Sequence, residues 1–277
     1  MTERRVRFTK MSGAGNDFIV LGHDAAQDLA GELPPWTRKA CRRGVSVGAD
    51  GVLVVEPGGE QRVRVRFFNP DGGESFCGNG SRCAARYAYL RGFANESMIL
   101  GTWIGEVPAR VDGEVVRLYL APPEDRGSCR IEEDDVRVEG RLVVAGVPHF
   151  VVSVEDVTEA PLAVWGPRIR HHRHFAPGGT NVDVIGWKPD GSLAIRTWER
   201  GVEGETLACG SGAIAAAAVV RNQVPASGVR VVPASGVSLF VAFEQRAGRA
   251  SVVLQGDARL IFEATLDAEA TSGFPAC

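Results

Sequence analysis

The chain has 277 residues, 44% apolar and 23% charged, with a net charge of −3. That composition fills a core and excludes a disordered chain, and the near balance of charge offers no bulk attraction to nucleic acid or to an anionic membrane. The longest apolar run, 213–220, has eight residues, far below the ~20 of a membrane helix, and the charged stretch 1–13 carries no apolar core of a secretory signal, so a cytoplasmic protein is expected.

In chain order, strands rich in Val and Phe are expected at 6–11, 18–21, 52–55 and 63–68. A short helix over 35–43 has proline near its start and Gly44 after its end. A longer helix over 78–91 closes at Gly92. Strands resume at 98–100, 107–111 and 115–120. The run Ala121-Pro-Pro-Glu-Asp-Arg-Gly127 then interrupts the pattern, and a domain boundary is expected there. Beyond it come strands at 141–145, 150–154, 181–187 and 193–198. A helix at 210–220 follows, then strands at 229–232, 237–243, 250–254 and 259–264. The basic run 168–174 reads as a solvated loop. Strands outnumber helices, which gives an α+β fold of two halves of mainly antiparallel sheet. The halves are 1–121 and 122–262, with the tail 263–277 packing back on the first.

The halves share a local design. Cys77-Gly-Asn-Gly-Ser-Arg-Cys-Ala-Ala-Arg86 and Cys209-Gly-Ser-Gly-Ala-Ile-Ala-Ala-Ala-Ala218 both read Cys-Gly-x-Gly and then a helix of alanines, about half the chain apart. Such a repeat points to duplication, pseudo-symmetry and one cleft between two like domains. Glycines let the backbone turn and approach a ligand. The first amides of a helix are unpaired and form an anion site, and the same helix end lowers a thiol's pKa. One unit offers a base beside a carboxylate cradle. Two facing units offer a base on each side of one carbon, which fits 1,1-proton transfer at a stereocentre. One thiolate removes the Cα proton, and the other cysteine, as a thiol, delivers one to the opposite face. Electrostatic stabilisation of the carbanion must carry much of the rate, because acid–base help supplies only ~10²–10⁴-fold.

Four segments carry a family resemblance: Lys10-Met-Ser-Gly-Ala-Gly-Asn-Asp-Phe18, Phe68-Asn-Pro-Asp-Gly72, Cys77-Gly-Asn-Gly-Ser-Arg-Cys83 and Trp198-Glu-Arg-Gly-Val-Glu-Gly-Glu-Thr-Leu-Ala-Cys-Gly-Ser-Gly212. In type and order the chain resembles the diaminopimelate epimerases. The resemblance implies their two-domain fold, each domain built around a central helix with the active site in the cleft. It also implies interconversion of LL- and meso-diaminopimelate without a cofactor, in lysine and peptidoglycan precursor synthesis, by a homodimer. By the same resemblance Cys77 and Cys209 are the catalytic cysteines. Gly78-Asn79 and Gly210-Ser211 hold the reacting carboxylate, and Asn16, Asn69 and Asn181 surround the distal end of the substrate. Glu199 and Arg200 lie beside the substrate, the Arg200 guanidinium suiting a carboxylate fork. His149 lies near the cysteines, where it and Glu199 tune thiol protonation. Val147 stands where the family often has Asn, Ser211 keeps the hydroxyl of a frequent Thr, and Pro70 replaces a frequent Ala.

Other readings are weaker. Lys10, Lys39 and Lys188 are the only lysines and none sits in a phosphate cradle, so a pyridoxal Schiff base is not expected. His171, His172 and His174 have no carboxylate or cysteine at ligand spacing, so no metal is expected. Gly13-x-Gly15 lacks the third glycine of a dinucleotide fingerprint. In a reducing cytosol the cysteines are expected to be thiols, and with no C-x-x-C pair neither a zinc ribbon nor a thioredoxin site is expected. Cys83 reads as a core residue on its helix and Cys277 as part of a loose tail. Two alternatives to diaminopimelate epimerisation remain at this stage: a racemase of another amino acid, of histidine or proline type, on the same scaffold, and a non-enzymatic thiol protein.

Overall fold

A computed structural model describes residues 5–29, 31–133, 136–246 and 248–272; Cys277 lies outside them. By contacts the described residues divide into two units, 5–118 with 257–272, and 119–256.

In the first unit, β1 (Val6–Gly13) turns back on β2 (Asn16–Gly22) through Ala14-Gly15. Both turn residues have positive φ, 56° and 101°, which matches the twist of a two-residue hairpin. β2 runs parallel to β3 (Gly51–Pro57), and α1 (His23–Asp28) and α2 (Leu33–Ala40) lie in the connection. β3 pairs antiparallel with β4 (Arg62–Phe68), and β4 with β5 (Glu74–Ser75). α3 (Gly78–Leu90) then leads to β6 (Ser97–Thr102), parallel to β4. β7 (Gly105–Asp112) and β8 (Val115–Leu120) complete a meander.

The second unit opens with the hairpin of β9 (Glu124–Glu133) and β10 (Val136–Ala145). β10 then starts a repeat of the pairing that began at β1. β10 is antiparallel to β11 (Val147–Ser153), which is parallel to β12 (Asn181–Trp187), and α4 (Leu162–Arg170) fills that connection. β12 is antiparallel to β13 (Leu193–Glu199), and β13 to β14 (Gly204–Thr206). α5 (Gly210–Val219) leads to β15 (Val229–Val232), parallel to β13. β16 (Leu239–Arg246) and β17 (Arg249–Asp257) again close antiparallel. The duplication therefore holds for strand pairing as well as for the two cysteine motifs. β18 (Arg259–Leu266) pairs along β1, with Val6 opposite Leu266 and Ser12 opposite Arg259, so the chain returns to the first unit from Arg259 on.

Each unit wraps its strands around one helix. α3 contacts β1, β2, β3, β4, β6 and β7, and α5 contacts β10, β11, β12, β13, β15 and β16. Alanines and Ile214 cover α5 on every side and residues 212–217 are buried, as a helix enclosed on all sides requires. The α+β expectation with two central helices matches this arrangement.

Three local expectations change. The helix expected over 35–43 is α2, Leu33–Ala40, which starts two residues early because Pro34 and Pro35 fit its first turn, where their missing N–H groups cost nothing. The run 121–127 is only partly a breaker: Glu124–Gly127 already belongs to β9, where Asp125 holds Arg141 of β10 in an ion pair of 2.7 Å. The run 168–174 is not one solvated loop. Arg168–Arg170 finishes α4, Arg170 is buried against Glu203 at 3.0 Å, and Phe175 beyond it packs on Phe150. α4 escapes a reading of Gly and Pro as breakers because it contains Gly166-Pro167. Gly166 is needed there: a Cβ on it would stand 2.4 Å from the Trp198 ring.

Candidate active site

The two cysteines occupy the same position in their units. Cys77 and Cys209 are the N-caps of α3 and α5, both in extended backbone (φ/ψ −134/117° and −117/114°). Each Sγ accepts the amide of the third residue on, Gly80 or Gly212, at 3.4 Å in both cases. A sulfur thus does the work of a Ser or Asp cap, and it sits where the helix dipole favours a negative charge. Gly78-Asn79 and Gly210-Ser211 supply the first helical residues, whose amides face away from the helix's own bonding ladder.

In the first unit Cys77 is half-buried and Asn79 is buried. Asn79 Nδ2 donates to Asn16 Oδ1, and Asn16 Nδ2 donates to Asp50 Oδ2 at 3.0 Å. Arg43 bridges Asp50, at 2.8 Å, and Asp17. Lys10 holds Asp17 at 2.6 Å and also donates to the Gly48 carbonyl. Burial opposes ionisation of Asp17, but the hydrogen bonds from Arg43 and Lys10 outweigh it and hold the carboxyl below its usual range. Asn69 lies in the β4–β5 turn, donating to Gly73 O at 3.1 Å and Ser75 Oγ at 2.9 Å. The structure thus joins Asn16 and Asn79 at the mouth of α3, with Asn69 in a separate turn.

The second unit is more tightly connected. β11 carries His149 opposite Asn181 of β12, and β12 carries Asp183 opposite Thr197 of β13. His149 and Asp183 are fully buried. His149 Nδ1 lies 2.6 Å from Asp183 Oδ2, and its Nε2 lies 2.9 Å from Ser211 Oγ. Ser211 Oγ in turn lies 3.3 Å from Cys209 Sγ. Thr197 Oγ1 donates to Asp183 Oδ1 at 2.6 Å. Asn181 Oδ1 accepts the Arg200 amide at 2.8 Å and its Nδ2 donates to Pro148 O at 3.0 Å. Asn181 therefore fixes the backbone from which Glu199 and Arg200 project. Burial above all pushes the Cys209 thiol well up, the Glu199 and Asp183 charges add to this, and the hydrogen bonds it shares with the Ser211 hydroxyl and the Gly212 amide work the other way.

Sequence reasoning passed over Asp183, Thr197, Asp50 and Arg43. Asp183 carries a signal: it alternates with Val182 and Val184 in a buried strand, two residues from Asn181 on the same face. The motif glycines also need a revised explanation. Gly80 and Gly212 are not among the positive-φ residues. A Cβ on Gly212 would stand 2.8 Å from Asp183 Oδ1 and 3.1 Å from Thr197 Oγ1, and one on Gly80 would stand 3.1 Å from Leu53. Both are small so that their helices can approach the strands. Cys83 and Cys41 have thiols pushed up to about 12, burial being the largest cause, which makes them inert at neutral pH.

The family model for diaminopimelate epimerase matches residues 8–120 and 141–261. The chain belongs to the diaminopimelate epimerase family. The diaminopimelate epimerase of Aquifex aeolicus is 37% identical, over 95% of this chain and 99% of its own length. That of Archaeoglobus fulgidus is also 37% identical, over 92% and 97%. Among solved structures, a hydroxyproline epimerase from Agrobacterium vitis superposes with a TM-score of 0.69 at 16% identity, covering 96% of this chain and 93% of that one. A phenazine biosynthesis protein of the PhzF family from Bacillus anthracis gives 0.70 at 14% identity, covering 95% and 99%. These last two share the fold of the diaminopimelate epimerases, whereas the curated relatives share the sequence.

Proposed function

We propose that this chain interconverts LL- and meso-diaminopimelate without a cofactor, using Cys77 and Cys209 as the two bases. The observation that carries this is the matched capping of α3 and α5, with one sulfur at the N-terminus of one helix in each unit. One thiolate takes the Cα proton, breaking C–H and forming S–H. The carbanion's electron pair spreads into the substrate carboxylate, which the helix-start amides hold. The other thiol protonates the opposite face, so the negative charge ends on the second sulfur. His149 and Glu199 set thiol protonation, while Asn16, Asn69, Asn181 and Arg200 shape the pocket for the second amino-acid end. The role carries with it the cytoplasm, where thiols stay reduced, a place in lysine supply, and a homodimer.

The deciding experiment incubates the chain with LL-diaminopimelate in heavy water. Deuterium at Cα together with formation of the meso isomer is the expected result, and no exchange with diaminopimelate would overturn the proposal. A racemase of histidine or proline rests only on the shared fold, and the same assay with those amino acids should give no exchange.

Arg200 offers a second test. It is half-buried, with its backbone pinned by Asn181. Lysine keeps the charge but loses the planar fork. Arg200→Lys should lose about tenfold to a hundredfold in kcat/KM with an unchanged circular dichroism spectrum, and a rate equal to wild type would show that the distal carboxylate is read elsewhere.

Gly212→Ala is a third test. Alanine is the better helix former, but the crowding against the buried Asp183 and Thr197 side chains should also lower the melting temperature, so the rate is read per folded molecule. The added Cβ displaces the Asp183 carboxylate and moves His149 with it. A shift of that kind near reacting atoms costs about 10²-fold, to be read as kcat in the epimerase assay.

A further inference from the structure

We infer that Asp183 is a positioning residue that orients His149 and the Ser211 hydroxyl into a reversible proton relay serving Cys209. The inference rests on the proposal that Cys209 is one of the two bases.

The hydrogen-bond partners settle the direction. Asp183 is fully buried and its carboxylate accepts twice, from Thr197 Oγ1 at 2.6 Å and from His149 Nδ1 at 2.6 Å. A carboxylate has only lone pairs to offer, so Nδ1 of His149 carries a proton, and in the neutral ring Nε2 is then bare. Asn181 Nδ2, which can only donate, lies 3.4 Å from Nε2 and fits the same tautomer. Ser211 Oγ, 2.9 Å from Nε2, must therefore donate to it. That leaves the oxygen's lone pairs for the Cys209 thiol at 3.3 Å. Each link points the same way, from Sγ–H to Oγ, from Oγ–H to Nε2, and from Nδ1–H to the carboxylate.

The step balances without any further reactant. The Ser211 O–H proton moves to Nε2 as the Cys209 S–H proton moves to Oγ. One proton has then passed from sulfur to imidazole. The products are a thiolate ready to take the Cα proton and an imidazolium paired with Asp183. Cys209 needs this help, because its surroundings disfavour an isolated thiolate: burial, Glu199 and Asp183 all act against one. The imidazolium supplies the missing positive charge two bonds along the relay.

The test has a spectroscopic and a kinetic arm. Ring ¹⁵N NMR of the full chain, with the His149 signals assigned by their loss in His149→Gln, should show Nδ1 protonated and Nε2 bare. In Asp183→Asn the carboxamide oxygen keeps the Thr197 hydroxyl and the NH₂ turns to Nδ1, so the two ring nitrogens should exchange roles. In the kinetic arm, Cα exchange is followed from each stereoisomer of diaminopimelate. Ser211→Ala should lose about 10²-fold from the isomer whose hydrogen faces Cys209, and markedly less from the other isomer. Ser211→Thr, which restores the hydroxyl, should keep the rate. A wild-type ring protonated on Nε2 overturns the relay. So does a Ser211→Ala variant that exchanges both isomers like wild type, or one that loses both equally, which would assign the hydroxyl to substrate binding. If Asp183→Asn does not fold, the wild-type tautomer and the Ser211 pair still decide. Absence of Cα exchange in the wild-type chain would instead overturn the proposed function, while the tautomer measurement would still judge the relay.

Discussion

Cys77→Ala and Cys209→Ala should each lose net epimerisation by the ~10²–10⁴-fold that a positioned acid or base supplies, or more, yet the two should fail differently. Each variant keeps one sulfur at one helix N-terminus, with its amide contact at 3.4 Å intact. That sulfur can still remove the Cα proton from its own side and return a solvent deuteron to the same side. Cys77→Ala should therefore exchange Cα hydrogen with retention for one stereoisomer, and Cys209→Ala for the other. Mass spectrometry of the Cα position after incubation in heavy water reads both. A single-base enzyme would give one variant inactive on both isomers and one nearly normal. A purely structural cysteine would lower the melting temperature and leave exchange per folded molecule unaffected. Substantial epimerase activity in either variant would remove the two-base mechanism.

Phe150→Ala should cost about 3–5 kcal/mol, a large part of the ~5–15 kcal/mol that holds an ordinary domain together. Phe150 is fully buried on β11, opposite Leu142 on one side and Val182 on the other. Its ring centroid lies 5.5 Å from that of Phe175. The ring also fills the space left by Gly140, where a Cβ would stand 2.6 Å from it. Gly140, Leu142 and Val182 are strand residues held by their ladders and cannot move into the hole. The effect reaches the site: His149 precedes Phe150, and a strand sends successive side chains to opposite faces. Truncating Phe150 loosens the face that presses His149 towards α5. Urea unfolding should show a lower midpoint with an unchanged slope, and kcat should fall together with the folded fraction. A midpoint equal to wild type would show that the core around α4 does not support this strand.

Much of this was legible in the sequence, and the reasons differ by element. α3 and α5 could be placed because Cys-Gly-x-Gly announces an N-terminus and the alanines that follow have no better conformation. β12 and β15 could be placed to the residue because dense Val and Ile leave little alternative. α4 was hidden, since Gly166 and Pro167 look like breakers until Trp198 is seen lying against Gly166. The cysteines, Ser211, His149 and Asn181 were visible as a set through family motifs, whereas Asp183 showed only as a polar residue between two valines. A lone aspartate in a valine-rich strand carries no sign of its partner, because the register that sets it opposite Thr197 is a property of the sheet. The same limit applies to Asn16, whose role depends on Asp50, 34 residues further along.

The strand order has a consequence for biosynthesis. The second unit is one continuous stretch, 119–256, so all of its strands are synthesised before β18. The first unit begins at the N-terminus but lacks the neighbour of β1 until β18 emerges. Although domains generally fold N-terminal first during synthesis, the later-made unit here can finish before the earlier one. Until then β1 presents an unpaired edge of hydrogen-bonding groups, the kind that recruits strands from other chains. A chain stopped a few residues short of Arg259 would keep that edge open for its lifetime. Chains broken off before Arg259 should thus aggregate rather than persist as shortened enzymes.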